Sequence, residues 1–231
     1  MQNRVVLFDI DGTLLSTSAM NETERRRYVE TMREVVGREP YVAPSRFAGM
    51  VDPQICKILL TELGLSEDDV RIFLPKVLTR MGEVYRRMEK RVVLNSGVRG
   101  LLAVLATSPR HVIGVLTGNL TDVAEEKLVR TDIRVYFSEL FCADTYFDRP
   151  SLVENAVQTC ITRYKLKAVG DVTIVGDTPL DIEAANNSNA TSIGVASGPY
   201  SINQLSEAGA AHVFTNLEPS KDLLAVLGLA Q

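Results

Sequence analysis

Short apolar runs alternate with helical stretches through the second half of this chain, and the apolar positions predict most of its elements. Runs rich in β-branched residues mark strands at Arg4 to Phe8, Val112 to Leu116, Leu140 to Ala143, Val172 to Val175, Thr191 to Val195 and His212 to Phe214. Between them, helices are predicted at Val98 to Ala106, Leu120 to Val129, Ser151 to Tyr164, Leu180 to Asn187, Ser201 to Ala208 and Ser220 to Leu227. Strands and helices in alternation indicate a parallel sheet covered by helices, an α/β core. The segment from about Ser16 to Asn95 lacks that rhythm and is predicted to be helical. Helices are expected there at Asn21 to Val36 and Pro53 to Leu63. A stripe of Val70, Phe73, Leu74, Val77, Leu78, Met81, Tyr85 and Met88 predicts another, with Pro75 expected to kink or divide it.

The candidate chemistry sits where strands end. Asp9-Ile10-Asp11-Gly12-Thr13 follows directly on Val5 to Phe8. Side chains two apart on a strand face the same way, so two carboxylates emerge together, and Gly12 permits a sharp turn after them. Such a pair needs a cation or a shared proton, unless it only closes a strand with an Asp-Gly turn. The strand at Val112 to Leu116 runs into Thr117-Gly118-Asn119, and the one at Val172 to Val175 into Gly176-Asp177-Thr178-Pro179-Leu180-Asp181. Arg149-Pro150 lies at the head of a predicted helix. In an open parallel sheet the carboxyl ends of the strands share one crevice, so these segments can meet in a single site. Thr117 can contact an anion or serve as a helix N-cap. Thr178 with Asp181 also has the spacing of a capping box, with Asp in place of Glu.

Composition narrows the field. The 231 residues include 45% hydrophobic and 23% charged ones, as in an ordinary globular protein, and the net charge of -4 argues against a nucleic-acid partner. The compact basic run Arg25-Arg26-Arg27 is flanked by Glu22, Glu24 and Glu30 and reads as a solvated helix face. Cys56, Cys142 and Cys160 show no metal-ligand spacing and are expected as buried thiols, and the lone His111 and His212 as structural or surface residues. No apolar stretch has the length of a membrane span and no charged leader with an apolar core opens the chain, so no membrane partner and a cytoplasmic protein are expected.

Taken together, these stretches resemble the four motif loops of the haloacid dehalogenase superfamily, in the right order. Asp9-Ile10-Asp11-Gly12-Thr13-Leu14 matches the first motif, Thr117 the hydroxyl residue of the second, and Gly176-Asp177 with Asp181 the acidic fourth. The third motif is usually a Lys; here its nearest match is Arg149, with Lys165 and Lys167 as weaker candidates. The resemblance implies a Rossmann-like core with an inserted helical cap: residues 1–15 carrying the first motif, 16–95 the cap, and 96–231 the rest of the core. It further implies a magnesium-dependent phosphatase, similar to phosphoglycolate phosphatases, acting on a small phosphorylated metabolite. In that chemistry Asp9 is the nucleophile and Asp11 the acid and base. Mg2+ is held by the Asp9 side chain, the Asp11 backbone carbonyl and Asp177, with Asp181 in support. Phosphate is bound by Thr117, Gly118, Asn119 and Arg149. Arg46, in a cap loop, is expected either to meet a distal anion of the substrate or simply to connect helices.

The motifs leave two rivals open: a sugar phosphomutase sharing the aspartyl-phosphate, and a non-catalytic phospho-accepting switch. A dinucleotide site is disfavoured, because no G-x-G-x-x-G follows a strand.

Overall fold

The computed structural model describes residues 3–43, 46–89 and 92–229, with the backbone alone at 18–21. Six strands, β1 (Arg4–Phe8), β2 (His111–Leu116), β3 (Glu139–Phe141), β4 (Val172–Gly176), β5 (Thr191–Val195) and β6 (His212–Phe214), form one sheet in the order β3-β2-β1-β4-β5-β6. Every pairing is parallel. The chain builds outward from β1 to β3, then crosses back to place β4 on the other side of β1. That reversal puts a switch point at the carboxyl end of β1. Phe8 pairs with both Val115 and Val175, so the loops after β1, β2 and β4 leave the sheet at one level.

Strand alternation explains how both faces are covered. Val6 and Phe8 pack with Leu101, Leu102 and Leu105 of α4 (Val98–Ala106), Leu128 of α5 (Thr121–Arg130) and Leu223 of a C-terminal helix. Val5 and Leu7 point the other way, against Leu152, Val153 and Ala156 of α6 (Arg149–Tyr164) and Ala184 and Ala185 of α7 (Pro179–Asn187). The remaining helices are α8 (Ile202–Glu207) and α9 (Lys221–Val226). All three cysteines are buried free thiols. Among the described residues, no helix is long and apolar enough to cross a membrane.

Between β1 and α4 lie α1 (Thr17–Val36), α2 (Asp52–Glu62) and α3 (Glu67–Arg87). They share a core of Tyr28, Met32, Ile55, Leu59, Leu60, Val77, Met81 and Tyr85, joined by Leu120 and Val123 from the start of α5. Pro75 does not divide α3, which runs on through it. The proline sits on the exposed face, so the carbonyl deprived of its partner faces water while Leu74 and Val77 stay buried. Two helices begin two or more residues earlier than predicted. α1 starts at Thr17, and α6 starts at Arg149, where the Asp148 carboxylate accepts from the Ser151 amide at 2.7 Å and Pro150 occupies the first turn.

Candidate active site

β1 delivers Asp9 into the crevice, and the next residues turn back under tight constraint. Gly12 is left-handed at φ 92°, and a Cβ on it or on Gly198 would collide with the Asp177 carboxylate. Asn95 Nδ2 donates to the carbonyls of Gly12 and Thr13 at 2.8 and 2.9 Å, and the Ser197 hydroxyl donates to Gly12 at 2.7 Å. The loop is thereby fixed around the end of β4. From there Asp177 projects back toward β1 and accepts from the Thr13 hydroxyl at 3.1 Å.

Asp9, Asp177 and Asp181 are buried and bring one oxygen each within 4.8 Å of the others. Arg149, at the first turn of α6, reaches between them: Nη2 donates to Asp9 Oδ1 at 3.1 Å, to the Leu116 carbonyl at 3.2 Å and to Asp181 Oδ1. The other Asp181 oxygen accepts from the Thr178 amide at 3.1 Å and hydroxyl at 2.8 Å, completing the capping box at the start of α7. Asp181 thus caps a helix and anchors Arg149. Lys165 ends α6 and, with Lys167, stands outside the cavity above these carboxylates.

Burial pushes the Asp9 carboxyl up from its ordinary 3.8 to about 7; Arg149 pulls it down, while Asp181 and Asp11 push it further up. Asp177 is driven well above its ordinary value by burial and then by the charges of Asp9 and Asp181. For Asp11 burial also acts upward, but Lys127, helped by the Asn119 amide, holds the carboxyl below its usual range. Asp9, Asp11, Asp177 and Asp181 are gathered here against the buried cations Arg149 and Lys127. A divalent cation would offset the charge that this donor set leaves uncompensated, and the buried acidic cluster fits a metal site.

At the end of β2, Thr117 is fully buried, and its hydroxyl accepts from the Asn119 amide at 3.2 Å and the Asn119 side chain at 2.8 Å. Thr117 is not the N-cap of α5: that position is Leu120. The Leu120 and Thr121 amides are taken instead by Asp52 of α2, at 3.0 Å, and by Asp144. Gly118 has a steric role, since a Cβ there would strike the Met50 carbonyl and the Val51 backbone. The insertion passes directly over this loop, with the Asp52 amide donating to the Gly118 carbonyl at 2.7 Å.

A cavity of about 360 Å³ lies between the strand ends and the helical insertion. Asp9, Asp11, Thr117, Gly118, Asn119, Arg149 and Asp177 form its floor, and Tyr28, Val42, Phe47, Met50 and Ile55 are part of its roof. Arg46 is not among the lining residues. It is exposed, stacks on Phe47 and forks onto Glu62, an arrangement that suits the helix-connecting alternative. Arg27 corrects the reading of a solvated basic run. It is buried, its guanidinium clamps Asp52 at 2.8 and 2.9 Å, and the Tyr28 hydroxyl joins them. Arg25 and Arg26 keep to partly exposed pairs with Glu22 and Glu30, as expected. His111 is structural, bonded to Ser108 and the Leu227 carbonyl.

Lys127 was not anticipated. A signal for it exists: it shares the buried side of α5 with Val123, Ala124 and Leu128, at helical spacing, where a surface lysine does not belong.

The sequence profile of a family described as haloacid dehalogenase-like hydrolase matches residues 6–195. No curated protein matches the chain. Among solved structures, a hydrolase from Pseudomonas syringae superposes with a TM-score of 0.70 at 20% identity, over 98% of each chain. A predicted phosphoglycolate phosphatase from Haemophilus somnus gives 0.70 at 19% identity, again over 98% of each chain. A candidate β-phosphoglucomutase from Thermotoga maritima gives 0.59 at 21%, over 98% of this chain and 97% of the other. At these identities the likeness is one of fold.

Proposed function

Because the chain belongs to the haloacid dehalogenase-like hydrolases, we propose that it is a magnesium-dependent phosphatase of small phosphomonoesters, working through an aspartyl-phosphate on Asp9. The observation that carries this reading is the juxtaposition of Asp9 with Arg149 and two further buried carboxylates at the floor of a covered cavity. Residues 16–95 act as the cap in this reading.

Magnesium would be held by the Asp9 side chain, the Asp11 backbone carbonyl and Asp177, and when bound it neutralises charge on the phosphoryl oxygens. The other tasks fall to the chain itself. Arg149 offsets the negative charge of the attacking carboxylate and of the incoming phosphoryl group. The Thr117 hydroxyl and the backbone around Gly118 and Asn119 supply donors on the opposite side. An Asp9 oxygen attacks phosphorus as the bond to the leaving oxygen breaks, and Asp11 gives that oxygen its proton. Asp11 then takes a proton from water as the water attacks the phosphoryl group, releasing phosphate and restoring Asp9. Asp181 holds Arg149 to its task.

The test is phosphate release from a panel of small esters, with magnesium present and after chelation. Release should need the metal, and Asp9→Asn should abolish it while the protein stays folded. Near wild-type turnover in Asp9→Asn overturns the covalent mechanism.

A further inference from the structure

Lys127 plays no part in the reaction as described above, yet its ammonium is fully buried. Nζ donates to Asp11 Oδ1 and Oδ2 at 2.8 and 2.7 Å and to Asn119 Oδ1 at 3.0 Å, and it lies 2.9 Å from Glu24 Oε1. Removing an ammonium from water is costly, and among Val123, Ala124 and Leu128 a methionine would pack at lower cost. The charge is therefore answering something other than packing.

Its partners belong to two parts of the molecule. Asp11 and Asn119 are on loops of the sheet, whereas Glu24 is on α1 of the insertion. Glu24 also meets Arg27 Nε at 2.6 Å, and Arg27 holds Asp52, which accepts from the Leu120 amide. Charged contacts thus run unbroken from Asp11 into the insertion and back to α5. An ammonium has three N–H donors. Four oxygens lie within 3.0 Å of this one: the three on Asp11 and Asn119 take its hydrogens, and Glu24 Oε1 faces it as a counter-charge.

We propose that Lys127 is a positioning residue and that Glu24 is its counterpart on the insertion. With the insertion seated, as here, Glu24 faces Nζ at 2.9 Å and holds the ammonium against both Asp11 oxygens, which fixes the direction of the Asp11 carboxyl. When the insertion lifts, Lys127 loses that counterion and Asp11 loses its fixed direction. Acid–base chemistry is then available only over a covered cavity. This rests on the phosphatase reading above.

The experiment compares wild type, Glu24→Gln, Lys127→Met and the double variant, each with magnesium, on an alkyl phosphate and on p-nitrophenyl phosphate. A p-nitrophenolate leaving group needs no proton, so the rate of its pre-steady-state burst reports attack by Asp9 without help from Asp11. For the alkyl ester, Lys127→Met should lower kcat by on the order of 10², the worth of a well-placed acid or base, with KM little changed. Glu24→Gln should lower it by about tenfold, and the double variant should be no worse than Lys127→Met alone. The p-nitrophenol burst should keep its rate in all four proteins. In thermal unfolding the two substitutions should likewise be non-additive, a readout that requires no activity. Fully multiplicative losses, or a burst slowed as much as alkyl turnover, would overturn the proposal. If Lys127→Met does not fold, Glu24→Gln decides through the same comparison of alkyl turnover with aryl burst. If wild type hydrolyses no ester at all, the phosphatase reading fails, and additive unfolding effects would then remove the coupling as well.

Discussion

Asp177 holds its carboxylate beside those of Asp9 and Asp181, and burial is the largest influence raising its carboxyl above the ordinary value. The protonated forms of Asp9 and Asp177 are favoured in the folded metal-free protein, since both carboxyls lie above their ordinary values. For an acid shifted this way the native state binds more protons than the unfolded one, so stability falls as pH rises from 3.8 through about 7, the two values for Asp9. On the magnesium-dependent reading proposed above, the ion would be held by the deprotonated carboxylates, so its stabilising effect should grow across the same window. Thermal unfolding should show a larger magnesium-induced rise in Tm at pH 8 than at pH 5, and Asp177→Asn should remove most of it. Equal rises at both pH values would place the ion elsewhere. Asp9, Asp11 and Asp177 were legible in the sequence because each follows an apolar run that can only be a buried strand, so position and chemistry coincide. Lys127 and Arg27 were not, because a cation in a helix is ordinarily solvated, and only the face it occupies, set by Val123 and Leu128 or by Tyr28 and Met32, shows otherwise. Arg46 illustrates the reverse: a cation in a suggestive loop is paired with the exposed Glu62.

The start of α5 lacks a side-chain cap of its own and depends on Asp52 of α2, the element that the insertion lays across it. Asp52 simultaneously answers both terminal nitrogens of Arg27 and the Tyr28 hydroxyl. Replacing it with alanine leaves a guanidinium buried with half its compensation gone, a change that typically costs about 3 to 5 kcal/mol. Asp52→Ala should accordingly shift the denaturant midpoint far more than Arg46→Ala, which breaks only an exposed pair. Comparable small shifts would show that α1 and α2 are not held through this carboxylate. The strands and most helices were readable from apolar spacing, since the parallel sheet leaves little choice of register. Element ends were less so. The early start of α6 comes from Asp148 and Pro150, cap chemistry that periodicity does not register, and α3 survives Pro75 because the damage falls on its solvent face.

At the scale of the molecule, the reversal of strand order beside β1 fixes where chemistry can occur, and the helical insertion fixes what can reach it. The cavity beneath the insertion, about 360 Å³, falls at the low end of the range for small-molecule sites. Its roof is built from α1, α2 and the loop between them, and it is tied to the floor by Asp52 with Gly118 and Leu120 and by Glu24 with Lys127. A phosphoryl group carried on a folded protein would have to displace that roof and forfeit these contacts, whereas one on a small metabolite can be enclosed beneath it. Phosphate should therefore be released from small alkyl phosphates but not, under the same conditions, from phosphoserine in a folded phosphoprotein. Freeing the phosphoserine as a short peptide should restore little, because the peptide's flanking residues meet the same roof. Release from the phosphoprotein at rates similar to those from the small esters would mean that the insertion stands open in solution, and that the ties through Asp52 and Glu24 do not govern access.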